Sequence, residues 1–66
     1  MEEQRFVKRV DVYRRRRRAH ERYRFLLCEK PAPGKDAVAA AREIVTELTR
    51  QFPDYEFVLV VRREQE

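Results

Sequence analysis

The segment Tyr13-Arg14-Arg15-Arg16-Arg17-Arg18 decides how the rest of this chain is arranged. No fold needs five adjacent guanidinium groups, because each is permanently charged and neighbours about 3 to 4 Å apart along the chain repel one another. We therefore expect the run to stay solvated and to be the least stably structured part of the molecule. Its guanidinium groups offer a dense set of donors for phosphate or carboxylate oxygens.

Segments of alternating polarity flank the arginine run on both sides. Residues 5–13 alternate with period two, and so do residues 22–28, which is the pattern of half-buried β-strands. We predict an antiparallel hairpin over about residues 5–29, with the arginines at its tip. One face should then be core, made of the side chains Phe6, Val10, Val12, Tyr23, Phe25 and Leu27. The opposite face should carry Val7, Leu26 and Cys28.

A helix over residues 14–28 is the rival interpretation. Arg, Ala, Glu and Leu favour helices, and Ala19, Tyr23, Leu26 and Leu27 form a helical stripe. In addition, no Gly, Asn or Asp lies between Tyr13 and Glu21 to make a tight hairpin turn. The aromatic and apolar run from Tyr23 to Cys28 favours a strand, so the hairpin is the preferred reading.

Pro31-Ala32-Pro33-Gly34 ends the hairpin and reverses the chain. A helix is predicted from about residue 35 to 52, with Asp36 at its positive N-terminal end. Its apolar stripe consists of Val38, Ala41, Ile44, Val45, Leu48 and Phe52. A last strand is predicted over about residues 55–63, apolar on both faces: Tyr55, Phe57, Leu59 and Val61 on one, Val58 and Val60 on the other.

These elements predict a small α+β fold. The order is ββαβ, with a three-stranded sheet, one helix packed on one face, and residues 1–66 forming a single domain. The rival reading of residues 14–28 would give βααβ. One helix covers only one face, so the other face, with Val58 and Val60, should stay open. We predict that this face, with Leu26, forms a homodimer interface.

Positive charge is concentrated in the first half of the chain. The whole sequence carries +4, but residues 5–24 contain ten basic and two acidic residues, a net of +8. Residues 35–66 contain five basic and seven acidic residues, a net of −2. This asymmetry favours a surface that binds a polyanion over charge spread for solubility.

The sequence therefore predicts a small basic protein that binds the phosphate backbone of DNA or RNA through an arginine-rich hairpin. Such contacts are mainly nonspecific or shape-directed, and no Asn or Gln near the tip is available to read adenine. The alternative is a regulator or inhibitor whose Arg and Tyr side chains dock on an acidic partner protein. The predicted binding residues are Arg5, Arg9, Tyr13, Arg14, Arg15, Arg16, Arg17, Arg18, Arg22 and Arg24.

Other functional classes receive little support from the sequence. Cys28 is the only cysteine and His20 the only histidine, so we expect no disulfide, metal site or cofactor. Nothing orients His20 as a catalytic base, and an enzyme is not expected. The longest apolar run, residues 57–61, is too short to span a membrane, and the protein is expected to be cytoplasmic.

Overall fold

The computed structural model describes residues 6–64, which form three strands and one helix in the predicted order ββαβ. The elements are β1 (Val7–Arg16), β2 (Arg24–Glu29), α1 (Ala37–Gln51) and β3 (Tyr55–Arg63). The α+β fold with a helix packed on a three-stranded sheet is thus confirmed, and the βααβ alternative is wrong. The helix propensity of residues 14–28 is overridden, because the end of β1 and the whole of β2 pair as strands of a sheet with a shared core.

β1 is the central strand of an antiparallel sheet with the order β2-β1-β3. Its register places Val12 opposite Leu27 on one side and opposite Leu59 on the other. Val10 and Val12 are fully buried beneath α1, because β-branched side chains on a central strand are enclosed by both neighbours and by the helix. The core therefore lies on one face of β1.

The helix begins at a polar cap and packs through its smallest residues. The Asp36 carboxylate accepts hydrogen bonds from the backbone N–H groups of Val38 and Ala39, at 3.0 and 3.1 Å. Ala37 and Ala41, one turn apart, are fully buried against the sheet. Small side chains at these two positions let the helix backbone approach the valines of β1 closely.

Two irregularities in the strands overturn part of the predicted facing of side chains. The β1–β2 register shifts between Val12 and Tyr13, so β2 contains one extra residue, Leu26. A one-residue bulge moves the residues beyond it to the opposite face. Leu26 and Leu27 both pack towards the helix, and Phe25, predicted to be core, lies on the open face and is 57% exposed.

The second irregularity lies between Val7 and Arg9, at the start of the β1–β3 ladder. It turns Val7, predicted for the open face, into the core, where it is 4% exposed. Phe6, predicted to be core, precedes the strand and is 46% exposed. Its backbone carbonyl accepts a hydrogen bond from the Glu64 N–H at 2.9 Å, which closes this end of the sheet.

The arginine run is more ordered than its charge predicted. Arg14, Arg15 and Arg16 belong to β1 and pair with Phe57, Glu56 and Tyr55 of β3. The loop that connects β1 and β2 starts only at Arg17. Backbone pairing to β3 compensates for the repulsion within the run, which the local sequence did not reveal.

Candidate nucleic-acid interface

Strand alternation divides the arginines of β1 between the two faces of the sheet. Arg14 and Arg16 follow Val10 and Val12 on the helix side, beyond the end of the core. Arg15 follows Asp11 and Tyr13 on the open face, which is shown by its partner across the sheet, Glu56. The run is therefore not a single flat patch but the two sides of one sheet end.

Arg15 is held by its neighbours on the open face. Its Nε and Nη2 atoms donate to Glu56 Oε1 at 2.9 and 2.6 Å. Its guanidinium also lies 4.4 Å from the ring centroid of Tyr23, a cation–π contact. The hydrogen bond to Glu56 raises the pKa of Arg15 further and lowers the pKa of Glu56 below its ordinary value. Tyr23, predicted to be core, instead supports this arginine.

Arg16 is paired with Glu21 of the loop. The backbone N–H of Arg16 donates to the Glu21 carboxylate at 2.9 Å, and the side chains form an ion pair at 3.6 Å. The backbone hydrogen bond is the main reason that the pKa of Glu21 lies below its ordinary value, followed by the charge of Arg16. This contact joins the loop to the end of β1.

The loop reverses direction without a glycine. Arg17 donates from its backbone N–H to the Asp54 carbonyl oxygen at 2.8 Å and from Nε to the Pro53 carbonyl oxygen at 2.9 Å. Arg18 adopts a positive φ of 63°, a conformation that costs a residue with a Cβ about 1 kcal/mol. The Arg18 side chain is left exposed at the turn.

Only part of the arginine cluster is neutralised within the molecule. In the part of the chain that the structure describes, Arg15 and Arg16 have carboxylate partners. No such ion pair is formed there by Arg14, Arg17, Arg18, Arg22 or Arg24. Arg14 and Arg24 are moreover directly opposite each other in the β1–β2 ladder. Like charges in this position destabilise a sheet unless an anion lies between them.

Two adjoining clefts lie at this end, and most of their lining residues are on the helix side. The first, which we term the arginine cleft, has a volume of about 180 Å³ and is lined by Arg14, Arg15, Arg16, Glu21, Arg24 and Tyr55. The second, termed the aromatic cleft, has a volume of about 290 Å³ and is lined by Arg14, Leu26, Leu48, Phe52, Tyr55 and Phe57. Arg14 and Tyr55 line both clefts, so the two clefts adjoin at this pair of side chains.

The rings that line the aromatic cleft contact one another edge to face or by stacking. The Phe52 and Tyr55 ring centroids are 6.5 Å apart at 87°, and those of Tyr55 and Phe57 are 6.4 Å apart at 28°. The Arg14 guanidinium lies 5.3 Å from the Tyr55 ring centroid. Phe52, predicted to be part of the helix stripe, caps the C-terminus of α1 and is 48% exposed.

A second basic group lies at the opposite end of the sheet. Lys8, Arg9, Arg62 and Arg63 line a cleft of about 230 Å³. Asp11, only 2% exposed, lies between two of these arginines: Arg9 Nε is 3.2 Å from Oδ1, and Arg62 Nε donates to Oδ2 at 3.2 Å. Arg62 also donates to the Tyr13 hydroxyl at 3.3 Å. This hydrogen bond is the largest cause of the raised pKa of Arg62.

The structure brings together most of the predicted binding residues but separates others. Seven arginines, Arg14 to Arg18 with Arg22 and Arg24, lie at the hairpin end. Arg9 lies at the far end of β1, paired with Asp11, and Arg5 lies outside the described residues. Tyr13, the predicted stacking residue, is half-buried, and its ring is in edge-to-face contact with Phe25 at 5.7 Å. Phe52, Tyr55 and Phe57 were not predicted as binding residues.

The predicted dimer residues do not share one face. Val58 and Val60 lie opposite Tyr13 and Asp11 on the open face, whereas Leu26 lines the aromatic cleft on the helix side. The reason is the bulge in β2. The homodimer itself stays a prediction, for which sedimentation equilibrium is the measurement; a monomer at all concentrations would contradict it.

The lowered pKa values of Glu21 and Glu56 predict an acid-sensitive hairpin. The stabilisation by these two ionised carboxylates is complete above the ordinary Glu pKa of 4.5. It is lost as the pH falls through their lower pKa values in the folded protein. We expect the urea midpoint of the wild type to fall more between about pH 6 and pH 3 than that of Glu56→Gln, which lacks one of these carboxylates. Equal falls in the two proteins would contradict this assignment.

Within residues 6–64, no helix is long and apolar enough to cross a membrane. In the same range, no group of three or more His, Cys, Asp or Glu side chains could hold a metal ion.

Comparisons with other proteins do not assign the chain to a family. No significant match is found among models of protein families, curated proteins or solved structures.

Proposed function

We propose that this protein binds the phosphate backbone of nucleic acids through the arginines at its hairpin end. The observation that carries the proposal is the set of five arginines there that have no carboxylate partner among residues 6–64: Arg14, Arg17, Arg18, Arg22 and Arg24. Phosphate oxygens are the acceptors that suit the planar guanidinium fork best in nucleic acids.

The direct opposition of Arg14 and Arg24 adds support. A phosphate between two guanidinium groups would turn a repulsive cross-strand pair into two attractive contacts. Arg15 and Arg16 are already held by Glu56 and Glu21, whereas Arg17, although its Nε donates to the Pro53 carbonyl oxygen, has no carboxylate partner among the described residues. Binding through these arginines positions the backbone and does not read base sequence.

The proposal is tested by the salt dependence of binding. Five phosphate contacts should give a slope of log K against log salt of about −4.5 on duplex DNA and about −3.5 on a single strand, because each contact releases condensed counterions. The measurement is a fluorescence anisotropy titration of mixed-sequence DNA and RNA over a salt series. Absence of binding to any of these at about 50 mM salt would overturn the proposal and favour an acidic protein partner instead.

A further inference from the structure

The aromatic cleft does not belong to the phosphate contacts described so far. Its lining is largely apolar, its volume of about 290 Å³ is close to the lower bound of about 300 Å³ for small-molecule sites, and it opens beside the arginine cleft. Exposed aromatic rings next to a cationic groove are the combination that binds unpaired bases, because every base has a face on which a ring can stack.

We propose that the hairpin end binds single-stranded nucleic acid, with one unstacked base in the aromatic cleft and the adjoining phosphate in the arginine cleft. This inference rests on the proposed function and adds to it a preference for unpaired strands. Bases of an intact duplex are stacked on their neighbours and are not available to enter a side cleft.

Charge complementarity supports the placing of the phosphate. The arginine cleft contains four arginines and one carboxylate, Glu21, which is paired with Arg16. Arg15 is ion-paired with Glu56, so Arg14 and Arg24 are the two arginines of this cleft that form no ion pair within residues 6–64 and are available for a phosphate. Arg14 also lines the aromatic cleft, so it lies at the boundary between the proposed base and phosphate positions.

Phe52 is the ring best placed to receive the base. It is 48% exposed, it lies at the end of α1, and its backbone N–H, not its side chain, donates to the Leu48 carbonyl oxygen to cap the helix. Its side chain can therefore be shortened without loss of the cap. Tyr55, by contrast, is half-buried and is in contact with Arg14, Phe52 and Phe57.

The test compares two exposed phenylalanines on opposite faces of the sheet. Phe52→Ala and Phe52→Leu should weaken binding to a single strand about 5- to 150-fold, the range for loss of one stacked base. Their affinity for duplex DNA and for polyphosphate, which has no bases, should not change. Phe25→Ala is the matched control, because Phe25 is 57% exposed and contacts Tyr13 edge to face as Phe52 contacts Tyr55.

A strand that contains 2-aminopurine gives a second readout. Stacking on Phe52 should quench its fluorescence in the wild type and in Phe25→Ala, and less in Phe52→Leu, which stays apolar but lacks the ring. If both Phe52 variants bind the single strand as tightly as the wild type does, the base site is overturned and the phosphate proposal stands. A loss confined to Phe25→Ala would have the same consequence. Absence of binding to strands, duplex and polyphosphate alike would overturn the proposed function itself.

Discussion

Replacement of Arg18, Arg22 and Arg24 is expected to weaken binding to duplex DNA by about 10² to 10³-fold at about 0.1 M salt. The Arg18→Asn, Arg22→Ser, Arg24→Ser variant removes three guanidinium groups that have no carboxylate partner in the described structure. Each lost phosphate contact lowers log K by about 0.9 at that salt concentration. Asn is chosen at Arg18 because it tolerates the positive φ of 63° there.

The slope of log K against log salt is the decisive measurement, and it should become shallower by about 2.7. Lys8→Ser, Lys30→Ser, Arg42→Ser is the matched control. It lowers the net charge by the same amount, but at exposed positions away from the hairpin end. Circular dichroism should show both variants folded. Equal weakening by the two variants would mean that overall charge, and not the hairpin end, determines binding.

Removal of the Asp11 carboxylate should produce the largest loss of stability among single substitutions of charged residues in the described sheet. We expect Asp11→Ala to lower the free energy of unfolding by about 2 kcal/mol. Arg9 and Arg62 are directly opposite each other in the β1–β3 ladder, and the buried Asp11 carboxylate lies against both. Without it, two like charges face each other across the ladder.

The loss of unfolding free energy expected for Asp11→Ala is smaller than the loss on breaking a fully buried ion pair. The reason is that both arginines are close to half exposed and regain water. The expected loss is still large for a chain of this size, whose core supplies only about 3 to 5 kcal/mol. Urea denaturation followed by circular dichroism measures it. Glu47→Ala removes the carboxylate of an exposed ion pair with Arg50 and should leave the midpoint unchanged. A midpoint for Asp11→Ala equal to that of Glu47→Ala would refute this role.

The residues of the proposed binding site were predicted in part, and the reason is visible in the register. Five consecutive arginines, three at the end of β1 and two in the loop, concentrate positive charge at the hairpin end, so this charge follows from local sequence. Tyr55 and Phe57 join that end only because β3 pairs antiparallel to β1, which places them opposite Arg16 and Arg14. Pairing of residues about 40 positions apart is decided by the packing of the whole sheet.

The sequence by itself favoured the order ββαβ over βααβ, placed the acidic Asp36 at the N-terminal end of α1 and showed the concentration of positive charge between residues 5 and 24. These features depend on neighbours along the chain: alternation, proline, a capping carboxylate. The tertiary structure alone decided which side chains face the helix beyond the two strand irregularities, and which arginines are neutralised. One extra residue, Leu26, reverses the facing of Phe25, and Glu56 reaches Arg15 only across paired strands. The physical reason is twofold. The alternation of polar and apolar residues does not reveal where a bulge will shift the facing of the strand, and an ion pair forms only where folding brings its two charges together.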